Sequence, residues 1–232
     1  MLSGTDCTEA NGDAFSDELS RLKRRGASVL VVGSVRPSQW RDTCQRLLGQ
    51  RSDQVRRRVL VSTTDDPHRL PFLVDDVDPE TISPISYKAQ ARNATVSTPS
   101  AGPSTPASSN EVDTLADLGI AISSAIDSFE TDTTRLEPAE LRVGVDSLLP
   151  LLEEYGRQQL FKFLHLTNGR TRNANGMAHY HLPVERDAKI VPTLSPLFDV
   201  VVELREQNGD WQERWVMDDG DRSSGWLSVD PK

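Results

Sequence analysis

Short apolar runs alternate with amphipathic segments along most of the chain. Runs rich in Val, bounded by turn residues, predict buried strands at 28–32, 58–62 and 141–145. After Pro37, apolar positions recur at helical spacing and predict a helix that ends at Gly49; they are Trp40, Thr43, Cys44, Leu47 and Leu48.

The second half of the chain continues this alternation and then changes. Asn110 is predicted to cap a helix, a further helix is predicted to start at Asp146–Ser147, and a short strand covers "ISPISY". Near the C-terminus, Asn208–Gly209 separates two strand patterns and predicts a hairpin. The order of elements predicts an α/β fold, a three-layer domain with a mainly parallel sheet and C-terminal antiparallel hairpin strands.

The domain organisation follows from composition. Residues 1–25 are predicted to be an N-terminal tail with a short basic helix capped by Ser16, and 26–229 a single α/β domain. Within that domain, about 90–109 is rich in Ser, Thr, Pro and Ala and has almost nothing to bury, which predicts a flexible insertion.

Charge and cysteine usage indicate the kind of source and the cellular location of the protein. The net charge is −9, and of the 26 basic residues five are Lys and 21 are Arg. Acid excess with little Lys favours a halophilic source, because carboxylates hold water in concentrated salt. Two cysteines, a polar N-terminus and the lack of any long apolar run predict a cytoplasmic protein without a membrane partner.

The predicted parallel strands end in residues that are typical of a nucleotide site. The first strand ends at Gly33, the second leads to Asp65 and Asp66 in "TTDDP", and a later one ends at Asp146 in "VGVDS". This arrangement resembles the RecA/KaiC branch of the P-loop ATPases. Over about residues 26–229 the chain resembles a haloarchaeal group of RecA-like proteins, often labelled HTR-like, with no assigned activity. The resemblance implies a phosphate loop from Gly33 onward, water-polarising acids at Asp65 and Asp66, and a Mg²⁺-binding role for Asp146.

The loop itself departs from the pattern G-x-x-x-x-G-K-[ST], because it reads GSVRPSQW. Ser38 replaces the second Gly, and Pro37 lacks the N–H that would help to cradle phosphate. Gln39 replaces the Lys that contacts the phosphates, and Trp40 replaces the Ser or Thr that binds Mg²⁺. We therefore expect no catalytic residues and no cofactor.

What remains is interpreted as a vestigial nucleotide pocket, formed by Gly33, Ser34, Arg36, Ser38, Gln39, Trp40, Asp65, Asp66 and Asp146. Bound ATP with Mg²⁺ stays an alternative in which Arg36 replaces the lost Lys. Asp65 and Asp66 could instead form a turn, which is the interpretation we favour. Asp146 could equally cap a helix.

The histidines of the second half suggest a metal site, but the sequence alone does not support one. His179 and His181 alternate along a predicted strand and therefore share one face. Neither His165 nor any other residue supplies a further ligand at a recognisable spacing, so core packing is favoured and no metal is expected. By the same reasoning, the sequence supports no Cys–His arrangement.

Residues 21–58 form a basic segment, with 11 Lys and Arg against two Asp. The segment could bind nucleic acid, but we favour pairing with the acidic second half of the chain or of a neighbouring copy. The first hypothesis for function is thus a non-catalytic regulatory or scaffold protein that works through a protein partner or self-association. The alternatives are a nucleotide-binding protein or slow ATPase, and a DNA-associated recombinase-like protein.

Overall fold

A computed structural model describes residues 6–49, 54–64, 78–88, 110–132, 136–217, 220 and 222–229. The insertion predicted at about 90–109, like Asp65 and Asp66, lies outside these residues. The helices are α1 (Asp6–Arg25), α2 (Pro37–Leu47), α3 (Leu115–Thr131), α4 (Leu149–Asn173) and α5 (Val191–Leu194). The strands are β1 (Ala27–Val32), β2 (Arg57–Ser62), β3 (Ile82–Tyr87), β4 (Asn110–Val112), β5 (Leu141–Val145), β6 (Met177–Leu182), β7 (Val200–Gln207), β8 (Asp210–Met217), β9 (Arg222–Ser223) and β10 (Leu227–Ser228).

All ten strands belong to one sheet, in the order β10-β8-β7-β1-β6-β5-β2-β3-β4, with β9 also paired to β8. The strands from β7 to β4 in this order are parallel, and β8, β9 and β10 are joined antiparallel. The turn between β7 and β8 has positive φ at Asn208 and Gly209, as a two-residue hairpin requires. The predicted fold class and the hairpin are both confirmed.

Helices cover both faces of the sheet, and β1 shows how the sequence specifies this. Leu30 and Val32 pack with the residues of α3 and α4, whereas Val29 and Val31 face the side of α1 and α2. Successive side chains of a strand point to opposite faces, so a strand covered on both faces reads as one apolar run. This is the physical reason for "SVLVV".

Three element boundaries differ from those expected. Asn110 lies in β4, and Thr114 caps α3 by accepting a hydrogen bond from the Asp117 N–H at 3.1 Å. A Thr followed three residues later by an acid caps a helix better than an Asn whose backbone can pair with β3. Helix α1 begins at Asp6, well before Ser16, and α4 begins at Leu149, after the predicted start at Asp146–Ser147. Helix α4 is kinked at Gly156, where φ is 70°.

Within the part of the chain that the structure describes, none of the helices combines the length and the apolar character that a membrane crossing requires.

Candidate functional site

The face of the sheet under α2 carries three rows of residues that cross neighbouring strands, and each row contains at least one polar side chain. From the amino edge to the carboxyl edge, the rows are Arg58–Arg142–Met177, Leu60–Gly144–His179 and Ser62–Asp146–His181. Parallel strands buried on both faces are normally apolar throughout. The rows therefore locate the residues of this chain that need an explanation beyond packing.

Gly33 follows β1 and begins the loop to α2. Its φ is 135°, and a Cβ at this position would lie 2.4 Å from the backbone oxygen of Leu204 in β7. Only glycine fits such a conformation and such a close approach. The requirement for glycine here thus comes from contact with the neighbouring strand, and a bound phosphate is not needed to explain it.

The loop residues turn toward the β7–β8 hairpin. Arg36 is exposed, and its Nη2 donates to Glu206 at 2.7 Å. Gln39 is buried, and its Nε2 donates to the backbone oxygens of Arg205 and Gln212 at 3.3 and 3.4 Å. Arg36, which was considered as a replacement for the missing Lys, and Gln39, which stands at the Lys position, are therefore both held by the hairpin.

Trp40 fills the position where the loop pattern would place a Mg²⁺-binding hydroxyl. Its ring packs on that of His181, with the ring centroids 4.9 Å apart and the planes tilted by 58°. Trp40 also packs against the buried cluster of Cys44, Leu48 and Leu60. The Trp40 indole therefore fills the space at the start of α2 with an apolar side chain.

Asp146 is buried and its carboxylate is hydrogen-bonded to the end of β2. Oδ1 accepts from the N–H and Oγ1 of Thr63 at 2.8 and 2.7 Å, and Oδ2 accepts from Thr64 Oγ1 at 2.7 Å and Ser62 Oγ at 3.3 Å. The start of α4 is served instead by Ser147, whose Oγ accepts from the Leu149 N–H. Asp146 thus ties β5 to β2 and does not cap α4, whose N-cap residue is Leu148.

The remaining members of the predicted pocket are placed as follows. Ser34 and Ser38 are exposed in the loop and in the first turn of α2. The pocket residues that the structure describes lie at the carboxyl edge of the sheet, but Arg36 and Gln39 face the hairpin and Asp146 faces β2. Asp65 and Asp66 belong to the part of the chain that is not described.

A cluster that sequence reasoning missed lies directly beneath Trp40. Cys44 of α2 and two histidines of β6 each offer one ligand atom, and these atoms all lie within 4.8 Å of one another. Cys44 Sγ is 3.2 Å from His179 Nε2, and the rings of His179 and His181 are 5.4 Å apart at 80°. The histidine pair was visible in the sequence, but the third member is 135 residues away from His179 and only the fold supplies it.

Burial fixes the protonation of this cluster. Desolvation, assisted by the positive charge of Arg142, lowers the pKa of His179 to about 3. Desolvation, assisted by the negative charge of Asp146, raises the pKa of the Cys44 thiol. At neutral pH the two groups are therefore a neutral imidazole and a neutral thiol.

The amino edge of the same face is cationic. The Nη1 of Arg142 donates to the Leu47 backbone oxygen at 3.2 Å, and Arg58 donates to the oxygens of Leu48 and Arg56. Desolvation, with repulsion from Arg56 and Arg58, lowers the pKa of Arg142 to about 9. A cavity of 340 Å³ adjoins this edge, with Lys23, Arg46, Arg56 and Arg142 in its lining.

Within the described residues, at least four of the 11 basic residues of segment 21–58 pair with acids from the second half of the chain. Arg46 makes two hydrogen bonds to the buried Glu213, at 2.8 and 2.5 Å. The other cross-chain pairs of the segment are Arg25–Asp199, Arg36–Glu206 and Arg57–Glu140. These contacts use up positive charge that a nucleic acid would otherwise meet.

The fold and the site define an α/β domain with a mainly parallel sheet, whose carboxyl edge is filled by its own side chains. Residues 26–204 match the model of a family of unknown function, DUF7504, and the chain belongs to that family. A search of curated proteins found no match.

Proposed function

We propose that the chain is a cytoplasmic, non-catalytic RecA/KaiC-like domain that acts as a regulatory or scaffold protein through protein contacts. One observation carries the proposal. The two positions that would serve the phosphates and Mg²⁺ hold Gln39, which is hydrogen-bonded to the hairpin backbone, and Trp40, which packs on His181. Phosphoryl transfer needs a Lys charge at the first position and a Mg²⁺-binding hydroxyl at the second, and neither Gln39 nor Trp40 supplies its part.

The nucleotide-binding alternative depends on Arg36 and Asp146. Arg36 would have to leave Glu206, and Asp146 would have to give up hydrogen bonds to Ser62, Thr63 and Thr64. The contacts of Asp146 oppose the rearrangement most, because a buried donor without an acceptor costs about 1–3 kcal/mol. The exposed Arg36–Glu206 pair opposes it by less, since exposed ion pairs contribute about 0–1 kcal/mol. The observed contacts therefore favour a pocket that stays closed.

Equilibrium dialysis of Mg-ATP against the full chain in molar KCl tests this directly. We expect no saturable binding to the wild type and none to Arg36→Ala. Micromolar affinity that is lost in Arg36→Ala, but kept in the exposed control Arg157→Ala, would overturn the proposal in favour of the nucleotide-binding alternative.

The outer helices supply a surface for protein contacts. Ile120 of α3 and Leu166 of α4 are 63% and 71% exposed, and they line a groove of 1020 Å³ between the two helices. Exposed apolar side chains that line one groove are typical of interaction surfaces. Since the partner could be a second copy of the chain, we assign the contact first to self-association.

Light scattering in molar KCl, over a range of protein concentrations, checks this assignment. We expect an oligomer that Ile120→Asp dissociates and that Val55→Asp leaves intact, because Val55 is equally exposed but lies before β2. A wild-type monomer at every concentration would contradict self-association.

The DNA-associated alternative has its own measurement. A protein that neutralises several phosphates loses affinity steeply as salt rises. Given the internal ion pairs of the basic segment, we expect no gel shift with duplex or single-stranded DNA; a shift with a steep salt slope would favour the DNA-associated alternative.

A further inference from the structure

The cluster of Cys44, His179 and His181 has the composition of a metal site. A thiolate and two imidazoles are ligands that zinc accepts, and three protein ligands with water in the fourth position form a recurring zinc arrangement. We propose that these three side chains bind one Zn²⁺ ion between α2 and β6.

The spacing of the ligand atoms fits one ion after small side-chain movements. With Zn–S of about 2.3 Å and Zn–N of about 2.0–2.1 Å, tetrahedral ligands lie about 3.3–3.6 Å apart. Cys44 Sγ and His179 Nε2 are 3.2 Å apart, and no pair in the cluster exceeds 4.8 Å. All three atoms reach the distances that zinc requires if the widest separation shortens by about 1.2 Å.

The backbone leaves room for the histidine that the ion needs. Gly144 of β5 lies beside His179, and a Cβ there would come within 2.8 Å of its Cε1 and 3.1 Å of its Nε2. Since φ at Gly144 is not in the positive region, its conformation does not require glycine. The position accommodates the imidazole ring, which makes Gly144 a positioning residue for the proposed site.

Zinc binding at this cluster displaces one proton, because one of the three ligands is a neutral thiol. The lowered pKa of His179 leaves its imidazole neutral at pH 7, so a nitrogen lone pair is available. The Cys44 thiol must lose its proton: the S–H bond breaks, the sulfur lone pair forms the Zn–S bond, and one H⁺ passes to solvent. The carboxylate of Asp146, near enough to raise the pKa of that thiol, lowers the electrostatic cost of a buried cation.

The competing explanation is a metal-free core in which the neutral thiol and the neutral imidazole share a hydrogen bond. That arrangement accounts for the contact between Cys44 and His179. It does not use the ligand atom of His181, which lies within 4.8 Å of the other two ligand atoms while its ring packs against Trp40. Zinc uses all three side chains, and a binding measurement separates the two explanations.

The test is the zinc content and affinity of the purified full chain, measured by mass spectrometry of the metal and by competition with a chromophoric chelator. We expect one zinc ion per chain, with affinity falling on the order of 100-fold or more in Cys44→Ala and His181→Gln. The matched controls are Cys7→Ala, which removes the other cysteine, and His165→Gln, which changes an exposed histidine of α4. Both controls should bind as the wild type does.

Two further measurements keep the proposal falsifiable where a variant fails to fold. Cobalt added to the wild type should give a near-ultraviolet thiolate-to-cobalt band together with the visible bands of a tetrahedral ion. Gly144→Ala, which keeps all three ligands, should lower zinc affinity about 10-fold, as changes next to metal ligands do. A wild type that binds no zinc, a cobalt spectrum without a thiolate band, or equal loss in Cys7→Ala would overturn the proposal.

Discussion

The two ends of β5 each place a charged residue under α2, and the two residues differ in how fully they are hydrogen-bonded. At the carboxyl edge, Asp146 accepts hydrogen bonds from a backbone N–H and three hydroxyl groups. At the amino edge, Arg142 has a backbone oxygen and the sulfur of Met177 as partners, while its Nε has no acceptor among the described residues. The comparison shows that both oxygens of the Asp146 carboxylate have donors, whereas the Arg142 guanidinium keeps one nitrogen without an acceptor among the described residues and is repelled by Arg56 and Arg58.

Acid should have the largest effect, through His179 in the row between the two edges. Its pKa is about 3 in the folded chain and about 6.5 when unfolded, so between these values only the unfolded chain gains the proton. Folding stability is therefore complete above pH 6.5 and falls as the pH drops, by up to about 1.4 kcal/mol per pH unit and about 5 kcal/mol in all. Urea unfolding from pH 7.5 to 4, with a chelator present, measures this slope.

The matched variants for that slope are His179→Gln and His165→Gln. We expect the first to flatten the pH dependence and the second to leave it unchanged, since His165 is exposed. A steep slope that persists in His179→Gln would place the responsible group elsewhere.

Removal of the Asp146 carboxylate should have the next largest effect. Asp146→Ala leaves buried donors of Thr63 and neighbouring hydroxyls without their acceptor, and each such donor costs about 1–3 kcal/mol. We expect a loss of about 3 kcal/mol in the free energy of unfolding, because some hydroxyls can turn to other acceptors. Ser62→Ala, which removes one long hydrogen bond of 3.3 Å, should cost under about 1 kcal/mol. Equal effects of the two variants would show that the network does not act as a unit.

At the amino edge the expected change is small and of the opposite sign. Arg142→Met replaces a buried, repelled cation with an apolar side chain, and we expect stability to stay the same or rise by about 1 kcal/mol. Arg46→Met serves as the contrast, because it leaves Glu213 buried without its bidentate partner and should cost about 3 kcal/mol. A large loss in Arg142→Met would mean that its hydrogen bond to Leu47 outweighs the repulsion.

Most of the fold could be predicted from local sequence patterns, whereas the candidate site depends on contacts between residues that are distant in the sequence. The strand "SVLVV", the helix after Pro37 and the turn at Asn208–Gly209 depend on neighbouring residues, so the sequence was sufficient to predict them. The requirement for glycine at position 33 comes from the close approach of Leu204, and the hydrogen-bond donors to Asp146 come from the end of β2. No spacing rule reveals such pairs, because strand order and register bring them together.

The same limit explains the cysteine–histidine cluster. The alternation of His179 and His181 indicated a shared face, which the structure confirms. Cys44 was read as part of an apolar helix stripe, which is also correct, since it lies fully buried between α2 and the sheet. Only the packing of that helix over β6 turns two correct local readings into one cluster.

The attachments of α2 have a consequence for motion. Arg36 and Gln39 at its start and Arg46 near its end bind the β7–β8 hairpin, while Cys44 contacts β6. The helix therefore cannot lift to admit a ligand at its first turn unless contacts along its whole length break together. Such an opening requires sub-global unfolding, so the amide protons of α2 and of the hairpin should exchange with solvent at a shared, slow rate.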